Sequence, residues 1–188
     1  MTHSIANASS FLVDNVALFD QLQYENGVLD LACGNGRNGL FLVSHNVPVI
    51  FADNNEAHLQ SISEALEIAA VVGKQNQTWL VDFEADQNGV GNPLTGKFFD
   101  AVLVFNYLHR PLLPAVRDAI RPGGLIVYET FTMDQKQFGR PSNPDFLLQP
   151  NELREAFEGW DYIENFEGEV SDPRRAIARL IARKPATK

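Results

Sequence analysis

Asp30-Leu31-Ala32-Cys33-Gly34-Asn35-Gly36-Arg37-Asn38-Gly39 is the stretch whose reading decides the fold. It follows a short apolar run at 28–32 and leads into helical periodicity over about 36–45. It therefore reads as the turn between a buried strand and a helix. Gly34, Gly36 and Gly39 satisfy G-x-G-x-x-G, whose glycines allow a tight turn and close backbone approach to a ligand. The same pattern can serve a strand–helix turn that binds nothing, so its neighbours must supply the context.

Outward from this turn the chain alternates between the two periodicities. Residues 10–24 carry Leu12, Val16, Phe19 and Leu22 at helical spacing, with Ser9 or Ser10 as N-cap and Gly27 as breaker. Strands are expected at 48–53, 78–81, 98–105 and 125–129, and helices at 55–70, after Pro111 or Pro114, and at 150–158. The run 98–105 is the most hydrophobic, as suits the middle of a parallel sheet. Arg121-Pro122-Gly123-Gly124 should end the helix before the fifth strand, and 84–97 and 131–149 read as loops. The last two strands, 160–169 and 175–184, have no helix between them and should form an antiparallel hairpin. The expected fold is a doubly wound, Rossmann-like α/β domain, with a mostly parallel seven-stranded sheet closed by that hairpin. One domain is expected over 1–188, with 1–26 as a helical cap over the core or a lid over the cofactor.

Acidic residues fall at three successive strand ends, the side on which such folds bind ligands. Asp53 can accept both hydroxyls of a ribose. Asp82, followed by Phe83, offers an acid and an apolar wall to an adenine ring. Asp30 suits a ligand bearing an ammonium group and would repel a pyrophosphate, which favours S-adenosylmethionine (SAM) over a nicotinamide dinucleotide. Each acid alone can be a helix cap or a solvated loop residue.

Asp30 to Gly36 resembles the first motif of class I SAM-dependent methyltransferases, Asp53 their ribose acid and Asp82-Phe83 their adenine-contacting pair. Arg121-Pro122-Gly123-Gly124-Leu125 resembles the turn before their fifth strand. Within that class, Asn106-Tyr107-Leu108-His109-Arg110-Pro111 and Tyr128-Glu129-Thr130-Phe131 resemble the small bacterial tellurite-resistance (TehB-like) methyltransferases. So does the stretch with Gly139-Arg140-Pro141, Asn143-Pro144 and Phe146-Leu147-Leu148. The resemblance implies SAM as cofactor and S-adenosylhomocysteine (SAH) as product. It places Asp30, Ala32, Cys33, Gly34 and Gly36 on the cofactor, with Asp53-Asn54, Asp82-Phe83 and Asn106.

Methyl transfer from a sulfonium needs alignment and water exclusion more than acid–base help. A base is required only where the acceptor must lose a proton. The acceptor-side candidates are His109, Tyr107 and Arg140. His109 can act as base or donor, or simply tie its loop to backbone; Tyr107 can reach a ligand or pack. Arg110 and Arg140 could clamp an anion or stand in solvent, and Glu129 could pair with either. Cys33 suits its place by size. His3, His45 and His58 lack metal-ligand spacing, so no metal site is expected.

The 188 residues, 45% hydrophobic and 21% charged, suit an ordinary globular domain. A net charge of −9 disfavours nucleic acid as a partner. No signal peptide and no apolar run near the ~20 residues that span a bilayer are seen, so a cytoplasmic protein without a membrane partner is expected. The partner is then a small-molecule methyl acceptor, for a monomer or homodimer. Two other classes stay open: a SAM-binding sensor or partner subunit without turnover, and a nicotinamide-dependent oxidoreductase, against which Asp30 and the hairpin count.

Overall fold

The computed structural model of the chain describes residues 8–69, 76–85 and 91–186. Residues 1–7 of the expected cap, residue 70 of the third expected helix and 86–90 of the glycine-rich loop lie outside them. The elements are α1 (Ser10–Asp14), β1 (Val28–Leu31), α2 (Arg37–Ser44), β2 (Val49–Asp53), α3 (Glu56–Ile68) and β3 (Gln77–Leu80). They continue as β4 (Phe99–Phe105), α4 (Leu113–Ala119), β5 (Ile120–Phe131), α5 (Glu152–Ala156), β6 (Asp161–Ser171) and β7 (Arg174–Arg183).

The strands form one sheet in the order β3-β2-β1-β4-β5-β7-β6. The first five run parallel, and β7 pairs antiparallel with both β5 and β6. This is the doubly wound sheet with the terminal hairpin that the periodicity implies. β1 and β4 are buried at every position, because helices cover both faces. Side chains alternate accordingly: Leu29, Val102 and Tyr128 join one core with Val116 and Leu153, whereas Val28, Leu103 and Val127 join the other with Leu12, Leu42 and Ile62. The strand order reverses between β1 and β4, and the crevice opens at the carboxyl ends of these two strands. The open edge, β6, alternates half-buried and exposed residues along its whole length. No helix among the described residues is long and apolar enough to cross a membrane.

Two expectations are corrected. Residues 10–24 are not one helix. α1 ends at Asn15, whose side-chain amide donates to the Phe11 carbonyl and to Glu164, and a 3-10 turn follows over Val16–Gln21. An amide that bonds back to the preceding turn competes with helix continuation. Phe11, Leu12, Phe19 and Leu22 are still buried. Nor does Arg121-Pro122-Gly123-Gly124 lie outside the strand, since β5 runs through it. Gly123 takes a positive φ of 79°, and a Cβ on Gly124 would stand 2.6 Å from the Asp100 carbonyl oxygen. A bulge in the β4–β5 pairing between Phe99 and Ala101 absorbs this close passage.

The chain's entry into β1 is fixed by a carboxylate. Asp100, fully buried in β4, accepts the backbone N–H groups of Glu25, Asn26 and Gly27 at 2.9, 2.9 and 2.7 Å. Arg121 forms an ion pair with Asp100 and also donates to the Gln23 carbonyl. Asp100→Ala should therefore lower the unfolding free energy by about 3–5 kcal/mol, because it strands three N–H groups and a half-buried guanidinium. Urea unfolding of the two proteins measures this, and a loss under ~1 kcal/mol would show that water replaces the carboxylate there.

Candidate functional site

The turn after β1 is built from backbone that most side chains would resist. Ala32, Gly34 and Gly36 all have positive φ, at 50°, 55° and 70°. Two strand-end carboxylates hold the turn and the helix behind it: Asp53 Oδ2 accepts the Gly34 N–H at 2.8 Å, and Asp30 Oδ2 accepts the Gly39 N–H at 2.9 Å. The three motif glycines differ in purpose. A Cβ on Gly36 would meet Ile62 at 2.7 Å, and one on Gly39 would meet Phe51 at 2.3 Å, so these two exist for packing. A Cβ on Gly34 would meet nothing within 4 Å. That position faces open space, into which a ligand can approach the backbone.

Two cavities flank the turn and share Ala32 as a wall. The first, about 320 Å³, is lined by Asp30, Cys33, Gly34, Asn38, Phe105 and Asn106 among others. The second, about 220 Å³, is lined by Asp53, Asn54, Val81, Asp82, Phe83, Glu84 and Tyr107. The structure thus brings together every residue expected on the cofactor side except Gly36, which supports the turn from beneath.

The acids differ in environment. Asp30 is 2% exposed, and burial pushes its carboxyl up to about 7 against the opposing effects of the Gly39 N–H and Arg37. Asp53 ends β2, with Oδ1 accepting the Asn55 N–H at 2.9 Å, and Asn55 in turn caps α3. With roughly four lone-pair sites, this carboxylate still has capacity for further donors. Asp82 lies beyond the end of β3 and is exposed, its Oδ1 holding the Glu84 N–H at 2.9 Å. Phe83 is buried and braced edge-on by Trp79 at 5.7 Å. The Cys33 thiol is pushed up by burial, then by Asp30 and Asp53, and so stays protonated.

The acceptor-side candidates separate. Tyr107 lines the second cavity, and its carbonyl accepts the buried Tyr128 hydroxyl at 2.9 Å. Its own hydroxyl is pushed up by burial and by Glu84. His109 lines a small apolar void with Leu112, Val116 and Tyr128, on the other side of Tyr107. Arg140 is exposed, and among the described residues only its carbonyl is engaged, by Gln135. Arg110 is not available as an anion clamp: it grips Glu152 at 2.6 and 2.8 Å and the Asp145 and Leu147 carbonyls. Glu129 pairs with neither Arg110 nor Arg140. It is fully buried against Arg179 at 2.6 Å and Arg175 at 3.4 Å, both from β7.

Sequence reading passed over Asn38. It sits inside the quoted motif, is 4% exposed in the wall of the first cavity, and accepts the backbone N–H of Ser9. An asparagine where α2 should present an apolar residue to the sheet is the signal that could have marked it.

Comparison with known proteins places this geometry among relatives. Two curated proteins, from two strains of Haemophilus influenzae and described as "Probable S-adenosyl-L-methionine-dependent methyltransferase TehB", are 28% identical over 145 residues. That match covers 73% of this chain and 46% of theirs, so the chain spans about half the length of the curated relatives it matches. The crystal structure of TehB from Haemophilus influenzae superposes with a TM-score of 0.71 at 24% identity, covering 93% of this chain and 62% of that one. The glycopeptide N-methyltransferase MtfA, solved with SAH, superposes with a TM-score of 0.66 at 19% identity, covering 96% and 91%. These likenesses establish the fold. The family model for the tellurite resistance protein TehB matches residues 10–178, and the chain belongs to that family.

Proposed function

We propose that this chain is a methyltransferase that moves the methyl group of SAM to a small-molecule acceptor. The observation that carries the reading is the pair of cavities joined at Ala32, with Asp30 in the first and Asp53 and Asp82 in the second. Their chemistry fits the two ends of SAM. The first cavity takes the amino-acid end, with Asp30 facing the ammonium group, beside Cys33 and the open backbone at Gly34. The second takes the nucleoside, with Asp53 and Asn54 at the ribose hydroxyls and Asp82 and Phe83 at the adenine. Asn106 lines the first cavity, its N–H held by the Glu129 carbonyl at 2.9 Å. Ser9 backs the amino-acid end through its N–H, which Asn38 in the cavity wall accepts.

When bound, SAM supplies a methyl group already activated on a sulfonium. The chain's part is to hold the acceptor in line with it and keep water out. No imidazole lines either cavity among the described residues. An acceptor that attacks through a free lone pair needs no base in either cavity. Tellurite, selenite and small thiolates are acceptors of that kind, and the family's name puts tellurite first. Tyr107 borders the cleft and is the acceptor-side residue best placed to shape it; His109 and Arg140 stand outside both cavities.

Calorimetric titration with SAH, with NADH as control, should show binding of SAH alone. Asp53→Ala should weaken it by about 1–3 kcal/mol through lost charge-assisted hydrogen bonds to ribose. A folded protein that binds no SAH would end this reading; binding without transfer to any acceptor would make it a SAM-binding sensor instead.

Asp30 adds a pH dependence. Its folded form keeps the proton up to about 7, while the unfolded chain releases it near 3.8. The folded state binds more protons in that window, so stability of the ligand-free protein should fall as pH rises through it. Asp30→Asn should flatten that fall. An ammonium partner prefers the ionised carboxylate, so SAH affinity should rise as pH climbs through about 7 in the native protein only. Calorimetry and thermal unfolding across a pH series measure both; an affinity independent of pH would remove Asp30 from the ammonium.

A further inference from the structure

We propose that Asn38 holds the carboxylate of the cofactor's amino-acid moiety through its side-chain amide nitrogen, in an orientation imposed by the N-terminal segment. The proposal rests on the methyltransferase reading above and assigns a residue that reading does not use.

A buried primary amide has to place both of its ends. One end of Asn38 is fixed, because the Ser9 backbone N–H donates to Oδ1 at 2.9 Å, in a buried contact between residues far apart in sequence. A peptide N–H can only donate, so the atom facing Ser9 must be the oxygen, and turning the amide over would break that bond. Nδ2 therefore faces away from Ser9. It has no hydrogen-bond partner among the described residues. It is also absent from the fully enclosed polar atoms that lack one, so it reaches a surface. The surface that Asn38 lines is the first cavity.

The rest of that cavity says what the nitrogen should meet. The Asp30 carboxylate belongs to the same wall, tied to the Gly39 N–H one residue beyond Asn38. A side-chain acceptor and a side-chain donor facing one small cavity match a zwitterion, the ammonium on Asp30 and the carboxylate on Asn38. Ser9 is a positioning residue in this arrangement. It is anchored a second time by its hydroxyl, which donates to buried Glu129 at 3.4 Å.

The test compares SAH with 5′-methylthioadenosine, which has the nucleoside but no amino-acid end, by calorimetry on the full chain. Asn38→Asp keeps an oxygen for Ser9 and puts negative charge where the amide nitrogen was. It should lose SAH affinity by a factor on the order of 10–100 and keep methylthioadenosine affinity within about twofold. Ser9→Pro deletes the N–H at a residue whose φ of −56° already suits proline, and should cost roughly tenfold on SAH alone. Ser9→Ala keeps the N–H and loses only the hydroxyl's contact to Glu129, so it should cost less SAH affinity than Ser9→Pro. Unchanged SAH affinity in Asn38→Asp overturns the proposal, as do equal losses for both ligands, which would make Asn38 a packing residue. Should Asn38→Asp fail to fold, Ser9→Pro, which leaves Asn38 in place, decides by the same two ligands. A native protein that binds neither ligand removes the proposal together with the cofactor reading.

Discussion

β1 lies between two parallel strands and is buried along its whole length, so the chain entering and leaving it must satisfy its peptide groups without water. Carboxylates do this at both ends. Asp100 gathers three N–H groups where the chain enters. Asp53 and Asp30 take those of Gly34 and Gly39 where it leaves. The glycine turn, the seat of α2 and both crevice cavities depend on these contacts, since each places backbone that the sheet alone would leave undefined. The acids of the crevice thus build the site as well as facing its ligand. Asp53 can do both because its bonds to Gly34 and Asn55 use one lone pair on each oxygen. Asp30 does so at the cost of holding a carboxyl where burial disfavours its charge.

Much of this architecture is legible in the chain, and the boundary of what is legible has a physical cause. Short apolar runs bounded by turn residues report strands reliably, because burial on two faces leaves little freedom in composition. The acids at or just beyond the ends of the first three runs report the crevice side. Periodicity was less informative in the N-terminal segment, where Leu12 and Phe19 are buried as expected but the Asn15 amide breaks the helix between them. Arg121-Pro122-Gly123-Gly124 reads as a break because proline and glycine usually stop regular structure. Here Gly124 instead lets β5 pass close to the Asp100 carbonyl.

Long-range pairing is the part that local reading misses. Glu129 could be read as the partner of a loop arginine, but it pairs with Arg179, which the antiparallel register of β5 and β7 sets opposite it, and with Arg175 farther along β7. Arg110 looked available for an anion and is consumed by Glu152, forty-two positions away, and by two carbonyls. Asn38 was hidden for a related reason, since its buried partner, Ser9, lies in a segment whose path the motif does not encode. Side chains whose roles are set by one strand end could be named in advance. Those whose roles are set by two distant segments could not.

The open edge of the sheet has a consequence for how the molecule meets its neighbours. Among the described residues β6 leaves its outer row of peptide groups unpaired, and such a row is a template for adding another strand. On one side of that strand Asp161, Glu167 and Glu169 are exposed, and a bulge between Tyr162 and Glu164 bends it. A second copy laid alongside would bring the same negative charges together against a kinked ladder. The edge therefore works as an electrostatic gatekeeper that discourages self-templated stacking at high concentration. A neutral or basic strand could extend this sheet without that repulsion.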